Sequence, residues 1–223
     1  MSRITKIIII GSSGHAKVII DIIEAIGTYE IVGLIDDYRI KNQDETLGYK
    51  VLGRIEDLAQ IKEDLQLEYC VIAIGDNYAR AQVYAKIANL GFTFVTLQHP
   101  TSCVSSTVSL GEGNVIMPGV VINSSAEVGN FCVLNTQATI EHDVRIGNFS
   151  SIGPMAVLAG NVAVGNGTAI GMNTSVIEKY TIGNNSVIGA FSLVNKNIGN
   201  EVLAYGIPIK SIRKRDKGEK YLR

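Results

Sequence analysis

A histidine lies between two acidic residues in the segment TIEHDVRIG, residues 139–147. The surrounding residues 104–199 contain only eight acidic or basic side chains and one histidine, His142, so the grouping of Glu141, His142 and Asp143 is unusual for this stretch. A carboxylate bonded to one ring nitrogen fixes the tautomer of an imidazole and raises its basicity, which leaves the other nitrogen to accept a proton. We therefore expect a general base here, although a solvated surface patch is the simpler alternative.

The segment lies in a six-residue repeat. Every sixth residue from Val104 to Val194 is aliphatic, at sixteen consecutive positions. This period is typical of a parallel β-helix, in which three hexads form one triangular coil and the aliphatic side chain points inward. Residues 101–200 are therefore predicted to form about five coils, stacked at the ~4.8 Å spacing of β-strands.

The repeat also predicts what surrounds the histidine. Glu141, His142 and Asp143 occupy the second to fourth places of their hexad, which are corner positions that face outward. With eighteen residues in a coil, Ser124 and Gly160 should lie one coil before and one coil after His142. Both are small, so the imidazole has room on the outer surface.

Two other chemistries fit the repeat region less well. A zinc site of the carbonic-anhydrase type needs three histidines, and this region has one, so we expect no metal. A covalent acyl-enzyme through Cys132 is disfavoured because that residue takes an inward position, where a thiol is inert.

The first hundred residues alternate strand-like and helix-like segments, which predicts a parallel, Rossmann-like α/β sheet. The predicted strands are Lys6–Ile10, Ile31–Ile35, Cys70–Ile74 and Phe92–Leu97, and the predicted helices are Ala16–Ile26, Arg54–Ile61 and Tyr78–Leu90. Ligands of such sheets bind at the carboxyl ends of the strands. Those ends carry Gly11–His15, Asp36-Asp37 and Gly75-Asp76-Asn77. We thus predict domains at residues 1–100 and 101–200, followed by a basic segment at 201–223.

Composition excludes several classes of partner. A formal charge of −1 gives no electrostatic basis for binding nucleic acid. The aliphatic run Ile7–Ile10 is too short to span a membrane. Three cysteines, Cys70, Cys103 and Cys132, lack metal-type spacing and are interpreted as buried thiols of a cytoplasmic protein.

Across nearly its whole length the sequence resembles the NeuD-type sugar acyltransferases, and most closely the PglD-like nucleotide-amino-sugar N-acetyltransferases. The resemblance rests on GSSGHAKVI, LIDD, VIAIGDN, LNTQATIEHDVRIGNF and YGIPIKSIRK, in this order. It implies a Rossmann-like domain joined to a left-handed β-helix, a homotrimer, and acetyl-CoA and a nucleotide-linked amino-sugar as substrates.

The resemblance also implies roles for individual residues. His142 matches the general base, Asp143 the acid beside it, Glu141 a neighbouring acid, and Asn135 an asparagine one turn earlier. The residues matched to substrate binding are Ser13, Gly14 and His15 at the diphosphate, Asp36 and Asp37 at the nucleoside, and Gly75. The residues matched to the acetyl-CoA groove are Met172 and Ala190, and Ser151 is assigned to acetyl-CoA binding with them.

Two positions depart from the family pattern. Ser151 stands where close relatives often carry a second histidine near the thioester, and Ile209 replaces the alanine of a G-x-P-A-K motif.

Residues 210–223 contain seven basic and two acidic side chains. They are expected to form either a frayed, solvated end or an attractive surface for the phosphates of coenzyme A.

The predicted reaction is acetyl transfer from acetyl-CoA to the amino group of a nucleotide-linked amino-sugar, of the 4-amino-4,6-dideoxy type, for surface polysaccharide or glycan synthesis. Two alternatives stay open: O-acetylation of a sialic-acid-like sugar by the same fold, and a non-catalytic β-helix that serves only as a scaffold. The Glu-His-Asp segment and the N-terminal glycine loop favour an enzyme, because a scaffold needs neither.

Overall fold

The structure, a computed structural model, describes residues 5–39, 41 and 43–222. The described chain divides into two compact units. One contains the residues up to Gly75 together with Ala79–Leu97, and the other contains Asp76–Tyr78 together with the residues from Gln98 onward.

The N-terminal unit is built on a six-stranded sheet in the order β3-β4-β2-β1-β5-β6, parallel except for the antiparallel pair β3–β4. The strands are β1 (Thr5–Ile10), β2 (Tyr29–Ile35), β3 (Glu45–Thr46), β4 (Tyr49–Gly53), β5 (Tyr69–Ile72) and β6 (Thr93–Phe94). The α-helices of this half of the chain are α1 (Gly14–Ile26), α2 (Leu58–Leu65) and α3 (Asn77–Ile87). Short 3₁₀ turns precede α2 at Ile55–Asp57 and follow α3 at Ala88–Leu90.

The central strand β1 explains why this sheet forms. Its four isoleucines, Ile7–Ile10, are buried, as expected for a strand covered on both faces. Gly11 follows at once with a φ of 115°, and a Cβ there would lie 2.7 Å from the carbonyl oxygen of Ala73. Glycine is therefore required where β1 turns into α1.

The C-terminal unit is a triangular prism of parallel two-residue strands, each paired with a strand eighteen residues away, and it ends in two longer strands. Wall 1 contains β8 (Cys103–Val104), β11 (Val121–Ile122), β14 (Thr139–Ile140), β17 (Val157–Leu158), β20 (Ser175–Val176) and β23 (Leu193–Val194). Wall 2 contains β9 (Ser109–Leu110), β12 (Glu127–Val128), β15 (Arg145–Ile146), β18 (Ala163–Val164) and β21 (Thr181–Ile182). Wall 3 contains β7 (Leu97–Gln98), β10 (Val115–Ile116), β13 (Val133–Leu134), β16 (Ser151–Ile152), β19 (Ala169–Ile170), β22 (Val187–Ile188), β24 (Val202–Gly206) and β25 (Ile209–Lys214).

The aliphatic repeat forms the core of this prism. All of its sixteen positions are buried except Val104 and Leu110, which stand at the N-terminal end of the stack and are half-buried. The chain turns between walls at three edges, and the third residue of most turns has a positive φ, as Asp143 does at 60°. Asparagine and aspartate adopt this left-handed conformation more readily than other non-glycine residues.

The three edges are named by the walls they join. The first edge joins wall 1 to wall 2 and consists of residues 105–108, 123–126, 141–144, 159–162 and 177–180. The second joins wall 2 to wall 3, at residues 111–114, 129–132, 147–150, 165–168 and 183–186. The third joins wall 3 to wall 1, at residues 117–120, 135–138, 153–156, 171–174 and 189–192.

A ladder of side-chain amides ties successive coils together along the second edge. The backbone N–H of every member except the last, Asn200, donates to the side-chain Oδ1 of the asparagine one coil later, at 2.7–3.0 Å. The members are Glu112, Asn130, Asn148, Asn166, Asn184 and Asn200. These bonds satisfy backbone donors at turns where the sheet ladder is interrupted.

The basic C-terminal segment is largely ordered. Strands β24 and β25 form an antiparallel hairpin that extends wall 3, so the expectation of a frayed end is wrong for residues 210–214. The Arg213 guanidinium bonds the Glu219 carboxylate, which holds the pKa of that carboxyl below its usual range. The buried Arg215 donates to the carbonyl oxygens of Asn185 and Glu219.

Two further expectations concern cysteines and membranes. Cys70 and Cys132 are buried as predicted, but Cys103 is exposed on wall 1, where its strand position points outward. In the part of the chain that the structure describes, no helix is long and apolar enough to cross a membrane.

Candidate active site

His142 stands on the first edge with its ring in contact with a carboxylate. Its Nδ1 lies 2.8 Å from Oδ2 of Asp143, and the two side chains remain 57% and 53% exposed. A carboxylate accepts hydrogen bonds only, so Nδ1 carries the proton in the neutral ring and Nε2 has the lone pair. The predicted contact of His142 with Asp143 is thus present, with Nε2 as the ring atom that can accept a proton.

Gly160 provides the space in which the imidazole lies. A Cβ placed at Gly160 would lie 2.6 Å from both Cε1 and Nε2 of His142. Any side chain there would therefore displace the ring. The sequence repeat predicted this neighbour correctly, and the structure shows that the ring needs glycine there.

Glu141 is held from the preceding coil. The side-chain Nδ2 of Asn123 donates to Oε2 of Glu141 at 2.8 Å. Sequence reasoning did not select Asn123, although its offset of eighteen residues from Glu141 was available as a signal. Glu141 bonds Asn123, whereas Asp143 bonds His142, so the two acids flanking His142 have different partners.

Asn135 lies on a different edge of the prism from His142. It belongs to the third edge, and strand β14 of wall 1 separates it from the first edge. Its side-chain Nδ2 donates to the carbonyl oxygen of Ile152 at 2.8 Å, which anchors the amide to the next coil. Within one chain, Asn135 and His142 are therefore not brought together at a single corner.

The positions predicted for the acetyl-CoA groove fall on wall 3 and the third edge. Met172 and Ala190 are exposed on the third edge, two and three coils beyond Asn135. Ser151 lies in β16 and is only 9% exposed. Ile209, which replaces the family alanine, is 2% exposed, so its extra bulk is accommodated in the interior.

In the N-terminal unit, the predicted diphosphate loop opens helix α1. Ser13 and Gly14 are exposed, and Ser13 makes no side-chain bond to the helix N-terminus. Unsatisfied backbone N–H groups and the helix dipole favour an anion at such a site. The Nε2 atom of His15 is enclosed and has no hydrogen-bond partner among the described residues, and burial together with the Arg80 charge lowers the pKa of His15 to about 4. His15 is therefore neutral near pH 7 and can contact a phosphate only through a hydrogen bond.

The two aspartates after β2 have different environments. The Asp36 carboxylate accepts bonds from the backbone N–H and the hydroxyl of Ser12, at 3.1 and 2.6 Å, and from the backbone N–H of Tyr38 at 2.9 Å. Asp37 accepts one bond, from the backbone N–H of Ile55, and lines an open cavity of about 510 Å³ with Arg54 and other residues. Asp36 thus stabilises the loops, while the Asp37 carboxylate can still accept hydrogen bonds from a ligand.

Gly75 follows strand β5, which pairs with β1 in the sheet. Its carbonyl oxygen and that of Ile74 accept bonds from Nη1 of the buried Arg80, at 2.9 and 2.7 Å. Arg80 was not predicted from the sequence. Its role depends on the burial of its side chain, and nothing in the sequence indicates that this arginine of a helix is buried.

Among residues 5–39, 41 and 43–222, no group of three or more histidine, cysteine, aspartate or glutamate side chains could hold a metal ion.

A β-helix with a carboxylate-bonded imidazole on its edge, preceded by an α/β unit with an open helix N-terminus, defines the class of hexapeptide-repeat acyltransferases.

Comparison with known proteins narrows this class. A family model described as the PglD N-terminal domain matches residues 6–87. The chain is 34% identical over 112 residues to UDP-N-acetylbacillosamine N-acetyltransferase of Bacillus subtilis (strain 168). That match spans 50% of this chain and 51% of the relative, about half the length of each.

Solved structures match almost the entire chain. A histidine-to-asparagine mutant of perosamine N-acetyltransferase from Caulobacter crescentus, in complex with CoA and GDP-perosamine, is 35% identical, with a TM-score of 0.89 over 95% of this chain and 98% of that one. The acetyltransferase domain of PglB from Neisseria gonorrhoeae, in complex with acetyl coenzyme A, is 31% identical, with a TM-score of 0.85 over 92% and 98%. The chain belongs to the PglD-type family of nucleotide-amino-sugar N-acetyltransferases, and the predicted fold, including a left-handed β-helix, is confirmed.

Proposed function

We propose that this protein transfers the acetyl group of acetyl-CoA to the amino group of a nucleotide-linked amino-sugar, of the 4-amino-4,6-dideoxy type, for surface polysaccharide or glycan synthesis. The observation that carries the proposal is the 2.8 Å contact of His142 with Asp143 on the edge of the β-helix. The relatives support the substrates, since one was solved with CoA and GDP-perosamine and another with acetyl coenzyme A.

In the proposed transfer, His142 acts as the general base. The amine nitrogen attacks the thioester carbonyl carbon, and Nε2 of His142 accepts the proton that this nitrogen loses. The C–S bond then breaks, and the sulfur leaves as the thiolate of CoA, which takes up a proton to give the free thiol. Asp143 keeps the Nδ1–H in place, so it orients the ring and stabilises the imidazolium that forms.

The N-terminal unit is assigned to the nucleotide-sugar. The N-terminus of α1 at Ser13 and Gly14 would hold the diphosphate, with His15 as a neutral hydrogen-bond donor. Asp37 would contact the nucleoside, and Asp36 and Gly75 would fix the loops around it. Residues 1–100 would thus bind the sugar nucleotide, and residues 101–200 would bind acetyl-CoA and carry out the transfer. We place the reaction in the cytoplasm, where acetyl-CoA is available.

A homotrimer is proposed because the residues matched to one active site lie on different edges of a single chain. His142 is on the first edge, whereas Asn135, Met172 and Ala190 are on the third. If the first edge of one copy faces the third edge of another, the groups meet in a cleft that a single prism wall does not provide. Exposed apolar side chains on the third edge, Met172 at 49% and Phe191 at 60% among them, favour such a contact.

The direct test is a substrate panel. Purified protein would be incubated with acetyl-CoA and UDP-, GDP- or dTDP-linked amino-sugars, with release of free CoA thiol as the signal and mass spectrometry to locate the acetyl group. We expect N-acetylation of an amino-sugar nucleotide and a loss of two to four powers of ten in kcat for His142→Ala. Near-full activity of His142→Ala at neutral pH would contradict the mechanism.

Assembly has its own measurement. Light scattering across a range of concentrations should give about 72 kDa, three times the 24.0 kDa chain. A fully active monomer would contradict the shared site and leave the residue assignments within each unit standing.

A further inference from the structure

Residues 215–222, which follow strand β25, form a tail that folds back on itself. The backbone N–H of Glu219 donates to the carbonyl oxygen of Asp216 at 3.0 Å, and Gly218 has a φ of 84°, so the chain reverses direction here. The guanidinium of Arg213 bonds both oxygens of the Glu219 carboxylate. These bonds fix the turn of the tail to the hairpin that precedes it.

The buried Arg215 anchors the tail to the prism. Its Nη1 donates to the carbonyl oxygen of Asn185 on the second edge at 2.8 Å, and its Nη2 donates to the carbonyl oxygen of Glu219. The same guanidinium lies over the ring of Tyr221, 5.9 Å from the ring centroid. A planar guanidinium that bonds two carbonyl oxygens has one orientation, and its attraction to the aromatic face holds the tyrosine against it. The hydroxyl of Tyr221 therefore has a defined position.

The tail contacts residues 76–78, which belong to the same compact unit as the tail. The hydroxyl of Tyr221 accepts a hydrogen bond from the backbone N–H of Asn77 at 3.2 Å. Gly218 lies against the ring of Tyr78, since a Cβ at Gly218 would be 3.0 Å from both Cδ1 and Cε1 of that ring. Asn77 is buried and begins helix α3, so the tail takes up the first backbone donor of this helix.

These contacts adjoin a residue that is predicted to bind the nucleotide-sugar. Gly75 directly precedes the contacted segment and follows β5, at the carboxyl end of a parallel strand, where ligands of such sheets bind. Arg80 bonds the carbonyl oxygens of Ile74 and Gly75. Arg80 thus holds the beginning of the loop, and the tail holds the residues that follow it. Because the N–H of Asn77 is already bonded, the tail can act on a ligand only through the position of the loop.

We propose that the C-terminal tail positions loop 75–78 for the nucleotide-sugar, with Tyr221 as the positioning residue. The proposal rests on the proposed function, since it takes this loop to bind the nucleotide-sugar. Tyr221 lies 144 residues beyond Asn77 in the sequence, so no motif or fixed offset connects the two. A tail that only stabilises the fold would affect both substrates alike, whereas a positioning tail affects only the substrate that the loop binds.

The test removes one hydroxyl group. Tyr221→Phe keeps the ring beside Arg215 and should raise the KM for the nucleotide-sugar about fivefold, as expected for the loss of one neutral hydrogen bond. Both kcat and the KM for acetyl-CoA should stay at their wild-type values. Amide hydrogen exchange, followed by NMR, should become faster at Asn77. Gly218→Ala, which presses a methyl group against Tyr78, should produce the same selective rise in KM.

The matched control is Tyr49→Phe. The hydroxyl of Tyr49 donates to Oε1 of Glu24 at 3.0 Å, and Tyr49 begins β4, at the end of the sheet opposite to the carboxyl ends of the strands. This variant loses a hydrogen bond of the same kind and should behave like wild type toward both substrates. An unchanged KM for the nucleotide-sugar in both tail variants would overturn the proposal. So would equal rises in the two KM values, or an equal effect in the control.

Calorimetric titration with UDP, GDP and dTDP separates this proposal from the proposed function, because binding requires no acetyl transfer. A wild type that binds one of these nucleotides but acetylates no amino-sugar would refute the proposed function. The ratio of Kd values between Tyr221→Phe and wild type would then still test the tail. A wild type that binds none of the three nucleotides, free or sugar-linked, would refute both proposals.

Discussion

Replacing Gly160 with alanine tests whether the position of the imidazole, and not only its presence, determines activity. The new Cβ would lie 2.6 Å from Cε1 and Nε2 of His142 and 3.3 Å from Cδ2. Carbon atoms in contact stand ~3.5–4.0 Å apart, so the ring has to retreat by about 1 Å. His142 is more than half exposed and can swing outward, so the displacement should cost little folding free energy.

The effect on catalysis should be much larger than the effect on folding. A misplacement of about 1 Å can cost 10²-fold in rate, because the base no longer lies on the line of proton transfer. We expect kcat to fall by about two powers of ten while the melting temperature and the affinity for CoA stay close to wild type. Activity would be followed by thiol release and folding by calorimetry.

Gly199→Ala is the control for an added methyl group on the same prism. No atom lies within 4 Å of a Cβ at Gly199, so this variant should match wild type in both activity and stability. If Gly160→Ala keeps activity within threefold of wild type, the ring position inferred from the contact with Gly160 is not the catalytic one. An equal loss in both variants would point to a general effect on the fold.

Three further variants address the remaining assignments. Asp143→Asn keeps a residue type that tolerates the left-handed backbone and should lower kcat by about two powers of ten without unfolding the edge, as circular dichroism would show. Asp37→Asn should raise the KM for the nucleotide-sugar and leave the KM for acetyl-CoA unchanged. Asp36→Asn should instead lower the free energy of unfolding by about 1–3 kcal/mol, because buried donors lose an ionised partner. Equal effects of the two variants on the KM for the nucleotide-sugar would refute the different roles of the two aspartates. The pKa of His15 is near 6.5 in the unfolded chain and about 4 in the folded protein. Acidification from pH 7 to pH 5 should therefore favour the unfolded state by about 2 kcal/mol through this residue. Denaturant titrations of His15→Gln should show a smaller loss of folding free energy between the two pH values than those of the wild type.

The β-helix could be predicted in detail because each of its contacts is a fixed offset in sequence. The period of eighteen residues identifies the neighbours of any side chain, and it predicts Gly160 beside His142 from the sequence alone. The same rule would have found Asn123 beside Glu141.

The N-terminal unit was predicted less completely because its contacts have no period. The β3–β4 hairpin was missed: its turn is Leu47-Gly48, with φ of 50° and 84°, and leucine is not a residue that signals such a turn. The strand predicted over Phe92–Leu97 is only two residues long in this sheet, Thr93–Phe94. The structural role of Asp36 depends on its hydrogen bond with Ser12, and no fixed offset in the sequence identifies Ser12 as its neighbour.

The equal spacing of the coils has a consequence for how the β-helix could change in length. Adding or removing one eighteen-residue coil would keep the inward aliphatic positions and the strand pairings in register. It would lengthen or shorten the prism by one strand spacing, ~4.8 Å. The distance between two sites at different levels of the prism can therefore change only in whole coils, without any change to the residues of either site.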